Sequence, residues 1–306
     1  MSAEPRHIVS VEPFTRDYLQ RVFTITDEMD LMVQTRGRTG LLDDCVVALL
    51  FYEPSSRTML SFQSAAQRLR AGVLFAQGRD GSSMKKGESI EDTIRVVASY
   101  SDLIVMRHWE HGAAERAASI STVPFINGGD GGNEHPTQAL IDAYTIHREL
   151  GRLDDLHVVF GFDPRHSRSI HSLALLLSRG QNMRLTFVSP DELRMPPWLR
   201  ERLAARNVVV EETSALAGSA EADVLYVNRL QQERFASPAD FERLRRKFVV
   251  TPELLDGSSA IVLDPLPRID EIDLAVDALP NAKYFEQVAH GVPLRMALLA
   301  MLLDRR

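Results

Sequence analysis

Short apolar runs, each about the length of a buried strand, recur along this chain and alternate with stretches whose apolar residues repeat at helical spacing. The clearest run is Cys45-Val46-Val47-Ala48-Leu49-Leu50-Phe51-Tyr52, which Glu53-Pro54 then breaks. Met59, Phe62, Ala66 and Leu69 follow with the period of a helix. Further strands are expected at 73–76, at 103–106 ending in Arg107, and at 123–126 ending in Asn127. A second series falls at 156–162, 184–189, 208–212, 223–228 and 260–264. Helices are expected at about 14–36, 56–70, from a Ser89–Asp92 capping box onward, from His135-Pro136 to Gly151, then at 168–179, 196–206 and 239–247, and from Val292 to Leu303. Alternation of this kind predicts an α/β fold of two doubly wound domains with parallel central sheets, linked by interdomain helices. The boundary is placed near 135–152, and Gly128 to Glu134 reads as the most flexible segment.

With 306 residues the chain is long enough for two such domains. Its formal charge of −7 argues against a nucleic-acid partner, while a local arginine cluster can still attract small anions. Cys45, the single cysteine, sits in an apolar strand and reads as a small buried hydrophobe in a reducing compartment. The opening residues Met1 to His7 carry no apolar leader-type stretch, and no run approaches the length of a membrane span. The expectation is a cytoplasmic protein without a membrane partner.

In sheets of this type ligands bind beyond the carboxyl ends of the strands. Ser55, Ser56, Arg57 and Thr58 lie at the hand-over from strand to helix N-terminus, where unpaired N–H groups and the positive dipole end suit a phosphate dianion. Taken alone, the same residues also read as an ordinary serine cap with a surface arginine. Arg107, and His135 with Gln138, fall at other strand ends of the first half. In the second half Arg168 follows strand 156–162, Arg229 and Gln231 follow 223–228, and Pro265-Leu266-Pro267-Arg268 follows 260–264. Two arginine-rich crevices facing each other imply two anionic substrates held side by side. Lys85-Lys86 alone would be a solvated charge pair. His108 and His111 have a metal-like spacing but no carboxylate or cysteine motif around them, so no metal is expected. Neither a P-loop nor a complete G-x-G-x-x-G pattern is present, and no cofactor is expected.

Six segments, Phe51-Tyr52-Glu53-Pro54-Ser55-Ser56-Arg57-Thr58, Lys85-Lys86-Gly87-Glu88, Met106-Arg107-His108, His135-Pro136-Thr137-Gln138, Arg229-Leu230-Gln231 and Pro265-Leu266-Pro267-Arg268, together resemble the catalytic chains of the aspartate carbamoyltransferase family. The likeness covers nearly the whole chain, in the family's order and spacing. It implies carbamoyl transfer from carbamoyl phosphate to L-aspartate in pyrimidine biosynthesis. It further implies a carbamoyl-phosphate domain at 1–134, an interdomain helix at 135–151 and an aspartate domain at 152–290, with a last helix at about 291–306 packing back on the first domain. Ser55, Ser56, Arg57, Thr58 and Arg107 would hold the phosphate, and Thr58, Arg107 and His135 would converge on the carbonyl oxygen. Gln138 and the backbone carbonyls of Pro265 and Leu266 would fix the carbamoyl amide. Arg168, Arg229 and Gln231 would take the aspartate carboxylates. Ser82 and Lys86 would reach a neighbour's site, making the working unit a homotrimer with shared sites. A regulatory chain or a dihydroorotase stays open as a further partner.

The chain departs from the family pattern at Asp264, where histidine is usual, at Asn228, at Ser56 and at Gly161-Phe162-Asp163. Transfer to another amine acceptor, or a non-catalytic homologue that scaffolds a partner enzyme, are the alternative readings. The Arg229-Leu230-Gln231 pattern favours a dicarboxylate acceptor, and the intact Arg57, Thr58, Arg107, His135 and Gln138 favour catalysis.

Overall fold

The structure is a computed structural model describing residues 5–78, 86–206, 208–216, 221–230, 235, 237–245 and 248–306. The chain divides into two compact units, Met1–Ile141 with Ala289–Arg306, and Asp142–Val288.

The first unit is built on a five-stranded parallel sheet in the order β1 (His7–Ile8), β5 (Phe125–Asp130), β4 (Leu103–His108), β2 (Val46–Phe51), β3 (Gly72–Gln77). The helices between them are α1 (Arg16–Thr35), α2 (Ser56–Arg68), α3 (Ile90–Ala98) and α4 (Ala113–Ile120). Along β2 alternate residues point to opposite faces, and Ala48 and Leu50 pack with Ile104 of β4, Ile94 of α3 and Ala117 of α4. Both faces of β2 are buried, so an unbroken apolar run is what the position demands. At the edge, β3 is half-exposed, and Leu74 and Phe75 are more than two-fifths exposed, at 41% and 43%. Ser89 caps α3 by accepting the N–H of Asp92 at 3.0 Å. The expected return bond of a capping box is replaced by an Asp92–Arg95 ion pair.

α5 (Pro136–Leu150) begins with proline at its first position, where the missing N–H is harmless. The second unit repeats the plan, with sheet order β10 (Ile261–Leu263), β9 (Val224–Val227), β6 (His157–Gly161), β7 (Arg184–Val188), β8 (Val209–Thr213), all parallel. Its helices are α6 (Arg168–Leu177), α7 (Pro197–Ala204) and α8 (Pro238–Leu244). Val159, Leu225 and Val262 from adjacent strands share one apolar cluster with Phe162, Phe248 and Tyr284.

The last helix, α9, is Tyr284–Leu302, longer toward its start than the apolar run from Val292 implies. Its later residues belong to the first unit, where Arg295 is buried over the Phe62 ring at 4.9 Å. Gly291 leaves the room, since a Cβ there would lie 2.7 Å from Arg295 Nη1. Among the described residues no helix is long and apolar enough to cross a membrane.

The glycine-rich stretch is corrected by the structure. Asn127, Gly128, Gly129 and Asp130 are the buried end of β5, and Arg107 lies inside β4. The β4–β5 register shifts between Met106 and His108, which pair with Asn127 and Asp130. The glycines therefore serve a bulge, a place where the backbones must come close, and not a mobile linker.

Candidate functional site

In the first unit the chain turns direction between β2 and β4, because β3 lies on one side of β2 and β4 on the other. Such a switch point leaves a crevice at the carboxyl ends of the two strands. The residues after β2 and the end of β4 meet there. Arg107's carbonyl accepts the N–H of Tyr52 at 2.9 Å and of Glu53 at 3.4 Å, extending the pairing past the end of β2. Ser55 is the N-cap of α2 in extended conformation, yet its side chain makes no capping bond. No acidic residue occupies the first turn of α2, which carries Arg57 instead. The first N–H groups of a helix have no intrahelical partner. Ser55, Ser56, Arg57 and Thr58 thus surround a positive helix end, with Thr58 buried and Ser56 and Arg57 exposed.

The Arg107 guanidinium is buried and held on three sides. Nη1 donates to the Gly128 carbonyl at 3.2 Å and faces His135 Nε2 at 3.5 Å, while Nη2 donates to Glu53 Oε1 at 3.2 Å. The bulge makes this possible: a Cβ at Gly128 would lie 3.3 Å from Met106 O and 3.5 Å from Arg107 Cβ. Asp130 then fixes the turn into α5. Its buried carboxylate accepts from Asn127 Nδ2, Asn133 Nδ2 and the N–H groups of Gly112 and Glu134, at 2.9 to 3.3 Å. His135 follows, its carbonyl accepting the N–H of Gln138 and of Ala139, so it caps α5 with Gln138 one turn on. Next to Arg107, His108 stacks on Trp109 with centroids 4.0 Å apart and accepts the N–H of Glu110 at Nδ1. Burial holds the His108 pKa below the usual histidine value and pushes the nearby Tyr52 phenol up to about 12.

The second unit has its own switch point, between β6 and β9. Arg168 opens α6 after β6, half-buried, with Ser167 as N-cap accepting the N–H of Ile170 at 3.3 Å. The loop before it is anchored by the fully buried Asp163, whose Oδ1 accepts the N–H of His166 at 3.1 Å and lies 3.0 Å from its Nδ1. His171 Nε2 donates to the Pro164 carbonyl at 2.7 Å, and burial pushes its pKa down to about 4. Arg229 follows β9, half-buried, with Nη1 donating to the Leu230 carbonyl at 3.2 Å. Pro265 and Leu266 follow β10, with Leu266 at φ 58° and the Leu266–Pro267 bond cis. β10, β9 and β6 are neighbours, so Leu266, Arg229 and Arg168 leave the carboxyl ends of three adjacent strands. Arg268 points to other work: it pairs with Asp277, donates to the Tyr284 hydroxyl at 3.1 Å, and its charge is favoured mainly by the Asp277 bond.

The sequence-expected residues divide between the two units. Arg57, Thr58, Arg107, His135 and Gln138, with Ser55 and Ser56, belong to the first, and Arg168, Arg229, Pro265 and Leu266 to the second. Lys86 is exposed. Ser82 and Gln231 lie outside the described residues. Sequence reasoning missed Glu53 as a partner of Arg107 and Asp130 as the anchor of the His135 turn. The Asn127–Asp130 spacing, typical of side chains that satisfy local backbone, was the available signal for the second. Among the described residues no group of three or more His, Cys, Asp or Glu side chains is arranged to hold a metal ion.

Comparison with known proteins gives matches over nearly the full length. Residues 6–148 match the family model described as aspartate/ornithine carbamoyltransferase, carbamoyl-P binding domain. Residues 154–302 match its Asp/Orn binding domain. The chain is 42% identical over 300 residues to the aspartate carbamoyltransferase catalytic subunit of Methanocaldococcus jannaschii, covering 98% of each. It is 44% identical to the chloroplastic aspartate carbamoyltransferase 3 of Pisum sativum, covering 97% of this chain and 77% of that one. A crystal structure of the M. jannaschii catalytic subunit superimposes with a TM-score of 0.92 over 98% of both chains, at 42% identity. The Trypanosoma cruzi aspartate transcarbamoylase in complex with carbamoyl phosphate and aspartate gives 0.88 at 37% identity, covering 96% of this chain and 95% of that one.

Proposed function

The chain belongs to the aspartate/ornithine carbamoyltransferase family, and from that premise we propose how its own residues carry the reaction. It transfers the carbamoyl group of carbamoyl phosphate to the amino group of L-aspartate, giving N-carbamoyl-L-aspartate and phosphate. Ser55, Ser56, Arg57, Thr58 and Arg107 take the phosphate. Thr58, Arg107 and His135 donate to the carbonyl oxygen, where negative charge gathers as the uncharged amine attacks. Gln138 and the carbonyls of Pro265 and Leu266 fix the carbamoyl amide. Arg168, Arg229 and Gln231 take the two carboxylates of aspartate. The departing phosphate accepts the amine proton, so no dedicated protein base is needed.

Preset donors at a developing oxyanion are worth several kcal/mol in a water-poor site, and alignment of two reactants contributes about 7–11 kcal/mol. Arginine forks supply both without a covalent enzyme intermediate. The observation that carries this reading is the uncapped, acid-free start of α2 beside the buried Arg107–His135 contact.

The working unit in this reading is a cytoplasmic homotrimer acting in pyrimidine biosynthesis, with Ser82 and Lys86 completing a neighbour's site. The exposed edge strand β3, with Leu74 and Phe75, supports self-association, since an unpaired apolar edge invites a partner. An assay of ureido-product formation with aspartate, ornithine and a panel of small amines tests the reaction. Turnover with aspartate alone is expected. Turnover with a different acceptor, or none in assembled protein, removes the proposal.

A further inference from the structure

A buried chain of hydrogen bonds runs through the second unit to the turn after β10. Tyr226 donates its hydroxyl to Asp142 Oδ2 at 2.8 Å, and Gln287 Nε2 donates to Asp142 Oδ1 at 2.6 Å. The Gln287 amide oxygen accepts the N–H of Asp264 at 2.9 Å. Asp264 Oδ1 accepts the N–H of Leu266 at 2.5 Å. Tyr226, Asp142, Gln287 and Asp264 are all buried, none more than 1% exposed. Asp142 accepts on both oxygens, so Gln287 presents its NH2 to Asp142 and its oxygen to Asp264.

The turn has few backbone donors of its own. Pro265 and Pro267 have no N–H, so residues 264 to 267 offer two N–H groups, and both are engaged in this relay. Leu266 sits at φ 58°, a conformation a γ-branched residue does not choose unaided. Asp264, a departure from the family's histidine, is thus the link between the relay and the turn.

We propose that Asp142, Gln287 and Asp264 are positioning residues that set the pose of the Pro265 and Leu266 carbonyls toward the carbamoyl amide. This rests on the reading above that those carbonyls receive the amide. The relay acts through the backbone and touches no substrate, so its loss is felt in kcat, where a displaced contact weakens the transition state. Tyr226 also meets the side chain of Ser169, next to Arg168, so the same relay braces a second segment of the site.

Steady-state kinetics on the assembled protein test it. Asp264→Ala is expected to lower kcat roughly 10- to 100-fold, the scale of a small misplacement at a reacting group, with the KM for aspartate near that of the parent. Asp264→Asn keeps the acceptor oxygen and is expected to recover most of the activity. In Gln287→Glu the new carboxylate opposes Asp142, with Asp264 and Tyr226 the other ionisable groups of the relay. Its kcat relative to the parent is expected to rise as pH falls, because a neutral glutamic acid again donates to Asp142.

Parental kcat in Asp264→Ala at parental melting temperature, or a flat Gln287→Glu ratio across pH, overturns the proposal. If Asp264→Ala does not fold, the Gln287→Glu ratio decides. A Pro265→Gly, Leu266→Gly double variant separates the two layers. The double glycine keeps both carbonyls but frees the turn, so full kcat there shows that their fixed pose is not required, and the proposal falls with the reading it rests on. A large loss there with parental Asp264→Ala overturns the relay alone.

Discussion

Arg107 concentrates three demands in one guanidinium: a carbonyl, a carboxylate and an imidazole. Lysine offers a single nitrogen and cannot span them. Arg107→Lys is therefore expected to lower kcat/KM by about 10²–10³, the scale of a lost oxyanion donor, in a ureido-product assay. His171 gives a second prediction, this time of stability. Its folded pKa of about 4 lies below the ordinary 6.5, so above pH 6.5 both states are neutral and nothing is lost. As pH falls from 6.5 toward 4 the unfolded chain binds a proton that the native state refuses, and stability drops by about 3 kcal/mol. Urea melts should show that slope flattened in His171→Asn relative to the parent. Arg57, Arg107 and His135 could be put forward as candidates because contiguous motifs carry them. Glu53 could not, because its link to Arg107 joins positions 54 residues apart and leaves no local pattern.

At the scale of elements, most strands and helices were legible from apolar period alone, with ends displaced by a residue or two. β1 is two residues long and carries no period to detect. β5 was the substantive error: composition says loop where the backbone makes a bulged, buried strand. Gly131 shows what the turn after it requires. It adopts φ 55°, and a Cβ would lie 2.8 Å from Trp109 O and 2.9 Å from His111 N, both backbone atoms. Gly131→Ala should cost roughly 1–3 kcal/mol in urea unfolding. It should also reduce kcat, because the displaced turn delivers His135.

At the scale of the whole molecule, the proposed trimer with shared sites makes a prediction by mixing. Trimers assembled from Lys86→Ala and His135→Ala parents should regain activity, because some sites then draw both intact residues. Recovery no better than either parent, with subunit exchange demonstrated by mass-tagged chains, counts against sharing. The two-unit plan was legible in the repeated strand–helix alternation, whereas α9's full extent was not, since its first turns are not apolar enough to announce a helix.

The first unit takes in Met1–Ile141 and also Ala289–Arg306, with Leu294, Leu298 and Leu299 wholly buried. A ribosome delivers the second unit's residues, 142–288, before that final piece emerges. The N-terminal-first order common among nascent domains is therefore reversed. Released chains truncated at 288 should show a protease-resistant second unit beside a digestible first one. The stretch made before residue 142 is the one that must wait for residues 289–306.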